Sequence, residues 1–283
     1  MTEQLHRHEW AATNLGATLL NMPSLRVLAA FAFLLAPLAH AQKPSTPDAP
    51  LNPALPTVFI VGDSTARNGA DLGWGDHFAP LFDTTRINVA NRAVAGRSSR
   101  SYINEGVWDH VLSEMKRGDF VLIQMGHNDA TGLGGAKPRG TLKGIGEETQ
   151  DVPQTTGPLA GKVETVHTYG WYIRKYIADT RAKGTTPILL TCTIRNIWKD
   201  GQIERDMGYR DFEYQIAADQ HVPIADMATV AADRLQALGP EKTAALFPID
   251  HTHSSAEGAA LNARDVATAL RNIHSPLAAY LKP

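Results

Sequence analysis

Cysteine is almost missing from this sequence: Cys192 is the only one in 283 residues. A single thiol excludes an internal disulfide, a Cys-rich metal site and a lipid-anchored cysteine at a cleavage point, so the fold must be held by its apolar core. Cys192 itself lies in the apolar run 187–193, which reads as a buried, inert position. An excess of one charge is also lacking. The net charge of −2 gives no global footprint for nucleic acid or an anionic membrane surface. The apolar run 27–38 is only twelve residues long, against the roughly 20 that a membrane-spanning helix needs. Gly62 is not followed by G-x-G-x-x-G spacing, which excludes the dinucleotide fingerprint, and no G-x-S-x-G elbow occurs. No internal repeat is present.

What remains divides into three parts. Residues 1–41 read as an export signal, with Arg26 before the apolar run and Ala39-His40-Ala41 as an A-x-A cleavage site ahead of Gln42. Residues 1–21 are long and polar for such a signal, and Met22 begins a more conventional one. Exported protein would then reside in a periplasm or outside the cell, with no stable membrane insertion after cleavage. Residues 42–56 carry prolines at 44, 47, 50, 53 and 56, a spacing that favours an extended tether. A folded domain is expected over 57–283.

Within that domain the pattern alternates. Short β-rich runs at 57–61, 86–90, 119–125, 186–192 and 222–226 are separated by helical patterns at 75–82, 106–116, 164–183, 204–220 and 256–273. Strands alternating with helices imply a parallel sheet covered on both faces. The expected fold is α/β: a flavodoxin-like three-layer α/β/α sandwich around a five-stranded parallel sheet. One segment, 130–163, breaks the rhythm with eight glycines and three prolines and reads as an insertion without regular period.

Open α/β sheets bind ligands beyond the carboxyl ends of their strands, and the polar motifs fall there. Gly62-Asp63-Ser64-Thr65 follows the first strand, and Asn91-Arg92-Ala93-Val94-Ala95-Gly96-Arg97-Ser98 the second. Gly126-His127-Asn128-Asp129 follows the third, and Phe247-Pro248-Ile249-Asp250-His251-Thr252-His253 precedes the last helix. Together these supply what acyl transfer needs. Ser64 is a nucleophile that requires a base. Histidine suits that task because the pKa of an ordinary imidazole lies near neutrality; His253 is the candidate, and Asp250 is near enough in sequence to orient its ring. The Ser64 and Gly96 amides and the Asn128 side chain are donors for an oxyanion, and glycine at 96 lets its backbone approach a substrate closely.

G-D-S, the glycine of the second block, G-H-N-D and a terminal D-x-x-H together resemble the SGNH (GDSL) hydrolase family. V-A-G-R-S-x-R-S, G-H-N-D and F-P-I-D-H-T-H are similar to the rhamnogalacturonan acetylesterases, which deacetylate pectin. The similarity runs from about residue 58 to 270. It implies the SGNH fold, Ser64 as nucleophile, Gly96 and Asn128 as oxyanion donors, and Asp250 and His253 completing the triad. It also implies an acetylated polysaccharide or oligosaccharide as substrate, with no cofactor. The long glycine-rich segment resembles insertions of the bacterial members.

Other polar residues have plainer readings. His251 and His253 form an H-x-H without a third ligand at metal-like spacing, so no metal is expected. His127 reads as a structural ring, and Asp63 and Asp129 as caps of backbone amides. Of the basic residues Arg97, Arg100, Arg139, Lys143 and Arg195, we single out Arg97 and Arg195 as forks for sugar carboxylates. Trp198 is the candidate for stacking on a sugar, and Trp171 reads as core. The competing functions are a lipase, arylesterase or thioesterase of the same family, and a non-catalytic glycan-binding domain. The latter would require a lost catalytic residue, yet Ser64, Asp250 and His253 are all present.

Overall fold

The computed structural model describes residues 50–283; the expected signal and most of the expected tether lie outside the described residues. Five strands form one all-parallel sheet: β1 (Thr57–Val61), β2 (Asn88–Asn91), β3 (Phe120–Ile123), β6 (Thr186–Leu190) and β9 (Ile224–Ala225), in the order β2-β1-β3-β6-β9. Counted among themselves, these strands run 2-1-3-4-5, the flavodoxin-like order. The other four strands make two hairpins, β4 (Thr149–Pro153) with β5 (Val163–His167) and β7 (Trp198–Lys199) with β8 (Gln202–Ile203). The helices are α1 (Ser99–Asn104), α2 (Val107–Glu114), α3 (Tyr169–Ala182), α4 (Arg210–Gln220), α5 (Met227–Leu238), α6 (Pro240–Ala245) and α7 (Ala256–Asn272).

Alternation along the strands feeds two cores. Ile60, Leu122 and Ile188 pack on one face with Trp74, Phe78, Val266 and Leu270. Phe59, Val121 and Leu189, each one residue away, pack on the other with Trp108, Ile173 and Tyr176. All five β1 residues are buried, because helices cover both faces of a parallel sheet and leave no polar side to the strand. That burial is also why the first strand is read correctly to the residue.

Helix ends depart further from expectation. Residues 164–167 are strand, not helix, because they pair with 149–152; α3 starts only after Thr168, whose hydroxyl accepts from the Trp171 amide. Likewise α4 begins at Arg210, not 204. Ile203 pairs with Trp198, and the Asp206 carboxylate accepts from the amides of Gly208, Tyr209 and Arg210. The pattern at 75–82 resolves into two short 3-10 turns, Trp74–His77 and Ala79–Leu81, with Pro80 in the second. The 130–163 segment is ordered around the β4–β5 hairpin. Only Val152 and Val166 of its two strands are buried, so it leaves little hydrophobic period to read. Trp171 is not core: it is half-buried and stacks on His167, ring centres 3.9 Å apart.

Beneath the tip of β3 lies a buried polar cluster. Cys192 Sγ contacts the Met125 carbonyl at 3.2 Å and Glu213 Oε1 at 3.6 Å. The Tyr169 hydroxyl donates to the Met125 carbonyl at 2.9 Å and approaches Glu213 Oε1 at 3.3 Å. A Cβ at Gly126 would fall 2.6 Å from Cys192 Sγ, so glycine is required there. Burial pushes the Cys192 thiol well up and the Glu213 carboxyl to about 8, from an ordinary 4.5. Between those two values the unfolded chain has released a proton that the folded one keeps, so stability is full below the lower value and falls as pH rises through the upper. Glu213→Gln removes that slope. Thermal unfolding from pH 5 to pH 8 should therefore show the variant gaining on the wild type as pH rises; parallel profiles would contradict the burial argument.

Candidate active site

The sheet order reverses between β1 and β3, and the turns after both strands open on the same rim. Gly62 has little room for a side chain, since a Cβ would lie 3.2 Å from the Gln124 carbonyl and 3.1 Å from Ala66 Cβ. Asp63 is fully buried, and its Oδ1 accepts from the amide and hydroxyl of Thr65 at 2.8 and 2.9 Å. This local turn presents the half-buried Ser64 at the end of β1. Its Oγ lies 2.8 Å from Nε2 of His253, a residue 189 positions later.

The histidine is oriented locally. Asp250 Oδ2 sits 2.7 Å from His253 Nδ1, while Oδ1 accepts from the amides of Thr252 and His253, both at 2.7 Å. Burial opposes the Asp250 charge, but the hydrogen bonds from His253 and Thr252 outweigh it and hold the carboxyl at about 2. An ionised carboxylate accepts from Nδ1–H, which leaves Nε2 with its lone pair toward the Ser64 hydroxyl. The loop is fastened from two sides: the Asn196 amide donates to the His251 carbonyl at 2.7 Å, and Ser254 Oγ bonds the Leu72 carbonyl at 3.3 Å. Neither Asn196 nor Ser254 carries a motif that would have marked it in the sequence.

The donors gather from the other blocks. Gly96 has φ +80°, a left-handed conformation that favours glycine. Among the described residues, neither the Ser64 nor the Gly96 amide donates to an acceptor. Asn128 Nδ2 donates one hydrogen to the Arg97 carbonyl at 2.9 Å, which fixes the side chain and leaves its second N–H for a ligand. The buried Asp129 accepts from the Ser99 amide and hydroxyl, tying the β3 turn to α1. Burial nevertheless raises its carboxyl to about 7. His127 Nε2 pairs with Thr193 Oγ1 at 2.8 Å, and burial lowers its pKa, so it is a neutral ring at ordinary pH.

The expected sugar-binding residues are committed elsewhere. Arg97 pairs with Glu105 at 2.8 Å, and Arg195 grips both oxygens of Glu204 at 2.7 and 2.6 Å. Trp198 Nε1 donates to Asn196 at 2.8 Å, and its ring packs on the cluster around Ile203 and Leu235. The two guanidinium forks read from the sequence are thus already filled by glutamates. Among the described residues no three His, Cys, Asp or Glu side chains converge as metal ligands would, and no helix is long and apolar enough to cross a membrane.

Residues 60–261 match the GDSL-like Lipase/Acylhydrolase family. The chain is 32% identical over 209 residues to a rhamnogalacturonan acetylesterase of Emericella nidulans, covering 72% of this chain and 80% of that one. It is 29% identical over 245 residues to the rhamnogalacturonan acetylesterase RhgT of Bacillus subtilis, covering 79% and 93%. Among solved structures, protein YxiM of Bacillus subtilis superposes with a TM-score of 0.62 at 22% identity, covering 78% of this chain and 58% of that one. An acetyl xylan esterase from Geobacillus stearothermophilus superposes with a TM-score of 0.53 at 19% identity, covering 77% and 94%. At those identities the structural likeness speaks to the fold alone.

Proposed function

This chain belongs to the GDSL-like lipase/acylhydrolase family and is a carboxylic ester hydrolase, and from that premise we propose that it removes O-acetyl groups from rhamnogalacturonan through an acyl-enzyme formed on Ser64. The observation that carries the mechanism is the continuous hydrogen-bonded line from Ser64 Oγ through the His253 ring to Asp250. As Oγ attacks the acetyl carbonyl, Nε2 takes its proton and Asp250 stabilises the imidazolium. The oxyanion is met by the Ser64 and Gly96 amides and the second N–H of Asn128. Collapse breaks the bond to the sugar oxygen, which leaves with the proton from Nε2. Water then attacks the acetyl-enzyme with His253 again as base, releasing acetate and restoring Ser64.

The pectic substrate is supported by relatives named rhamnogalacturonan acetylesterase over most of the chain. The test is acetate release by the purified protein from acetylated rhamnogalacturonan, beside acetylated xylan and p-nitrophenyl esters of rising chain length. Release from the pectic substrate is expected, with ester turnover falling steeply beyond acetyl. Fast turnover of long acyl esters with no acetate from any glycan would replace this reading with a lipase or arylesterase one.

A further inference from the structure

The segment between β3 and α3 is buckled onto the turn that follows β2. Arg100, with no exposed side-chain surface, donates to the carbonyls of Leu133 at 3.0 Å and Gly140 at 2.6 Å, and grips both oxygens of Glu164. Ser98 Oγ donates to the Arg139 carbonyl, and Arg139 Nη1 returns to the Gly96 carbonyl at 2.7 Å. Gly96 therefore faces two ways. Its amide has no acceptor among the described residues, while its carbonyl holds a guanidinium of the insertion.

Between the two segments lies a cavity of about 300 Å³ lined by Gly96, Arg97, Lys137, Arg139, Gln154 and Leu159, among others. Its charges do not cancel. Of the two lining carboxylates, Glu105 is taken by Arg97 and Glu164 by Arg100. Lys137 and Arg139 have no acidic partner among the described residues. Two buried atoms of the lining also lack a hydrogen-bond partner there: Nε of Arg139, a donor, and Oε1 of Gln154, an acceptor. An unpaired guanidinium is matched best by a carboxylate. A neighbouring acceptor and an apolar wall at Leu159 and Pro158 suit the hydroxyls and ring face of a sugar.

We infer that this cavity is a subsite for an acidic sugar unit of the substrate, its carboxylate bound by Arg139, beside the acetylated unit whose ester reaches Ser64. The inference rests on the proposed glycan esterase activity and extends it: the insertion, through Arg139, selects glycans bearing carboxylates. Arg97, already neutralised by Glu105, is not the fork.

The test compares an acetylated uronate-containing oligosaccharide with its carboxyl-reduced, neutral counterpart in wild type, Arg139→Gln and Arg139→Lys. A charge-assisted contact predicts that the wild type favours the acidic substrate by about tenfold or more in kcat/KM, mostly through KM, and that Arg139→Gln brings this ratio to about one, with Arg139→Lys between. Because the readout is a ratio within each variant, a general loss of activity or of folded protein does not move it. An unchanged ratio in Arg139→Gln, or no preference in the wild type, overturns the subsite and leaves the esterase reading standing. Acetate release from neither substrate by the wild type overturns both.

Discussion

Ser64→Ala should lower acetate release by about 10⁴–10⁶-fold and abolish labelling by a fluorophosphonate probe. The size follows from what the hydroxyl does rather than from its contacts. Without Oγ there is no covalent intermediate, and the remaining donors act only on a direct attack by water. Folding should survive. The hydroxyl's partner, His253, has a side chain 29% exposed, so water can satisfy the ring nitrogen that loses its donor. The variant should therefore unfold at close to the wild-type temperature, which separates a chemical loss from a structural one. More than about one part in a hundred of wild-type acetate release would be incompatible with Ser64 as nucleophile.

The path from sequence to this site was readable in some places and closed in others, for physical reasons. Strands buried on both faces, such as β1, announce themselves by composition alone, and their order in the chain located the four polar turns on one rim. The β4–β5 hairpin did not announce itself. Its strands expose most of their residues and are held by backbone pairing, which leaves little trace in side-chain chemistry. The surroundings of the basic residues are closed to the sequence for a different reason. Arg97 and Arg195 read as forks for sugar carboxylates because their glutamate partners, Glu105 and Glu204, stand eight and nine positions on, across helix α1 in one case and the β7–β8 hairpin in the other, spacings that no single periodicity encodes. Arg139 looked like one basic residue among several. What distinguishes it is its contact with the Gly96 carbonyl, 43 residues away, which appears only when the insertion folds back.

Asp250→Asn should cost about 10⁴ in kcat at neutral pH, although it changes only one oxygen for an amide nitrogen. In the wild type both Asp250 oxygens are used: Oδ1 receives two backbone amides, and Oδ2 receives Nδ1–H of His253. An asparagine must keep its one carbonyl oxygen on the two amides, since an NH₂ group cannot accept from them. The nitrogen then faces Nδ1 and donates to it. The ring is driven to the tautomer with its hydrogen on Nε2, which points a donor, not a lone pair, at Ser64 Oγ. The base is lost with every distance in the site nearly unchanged. Because the carboxyl is held at about 2 in the wild type, Asp250 stays ionised across the whole working range, and its own protonation should cause no loss of wild-type activity at mildly acidic pH. The pH profile of kcat/KM with p-nitrophenyl acetate checks this. A wild-type-like acid limb at near wild-type rate in Asp250→Asn would mean that His253 does not depend on Asp250 for its tautomer.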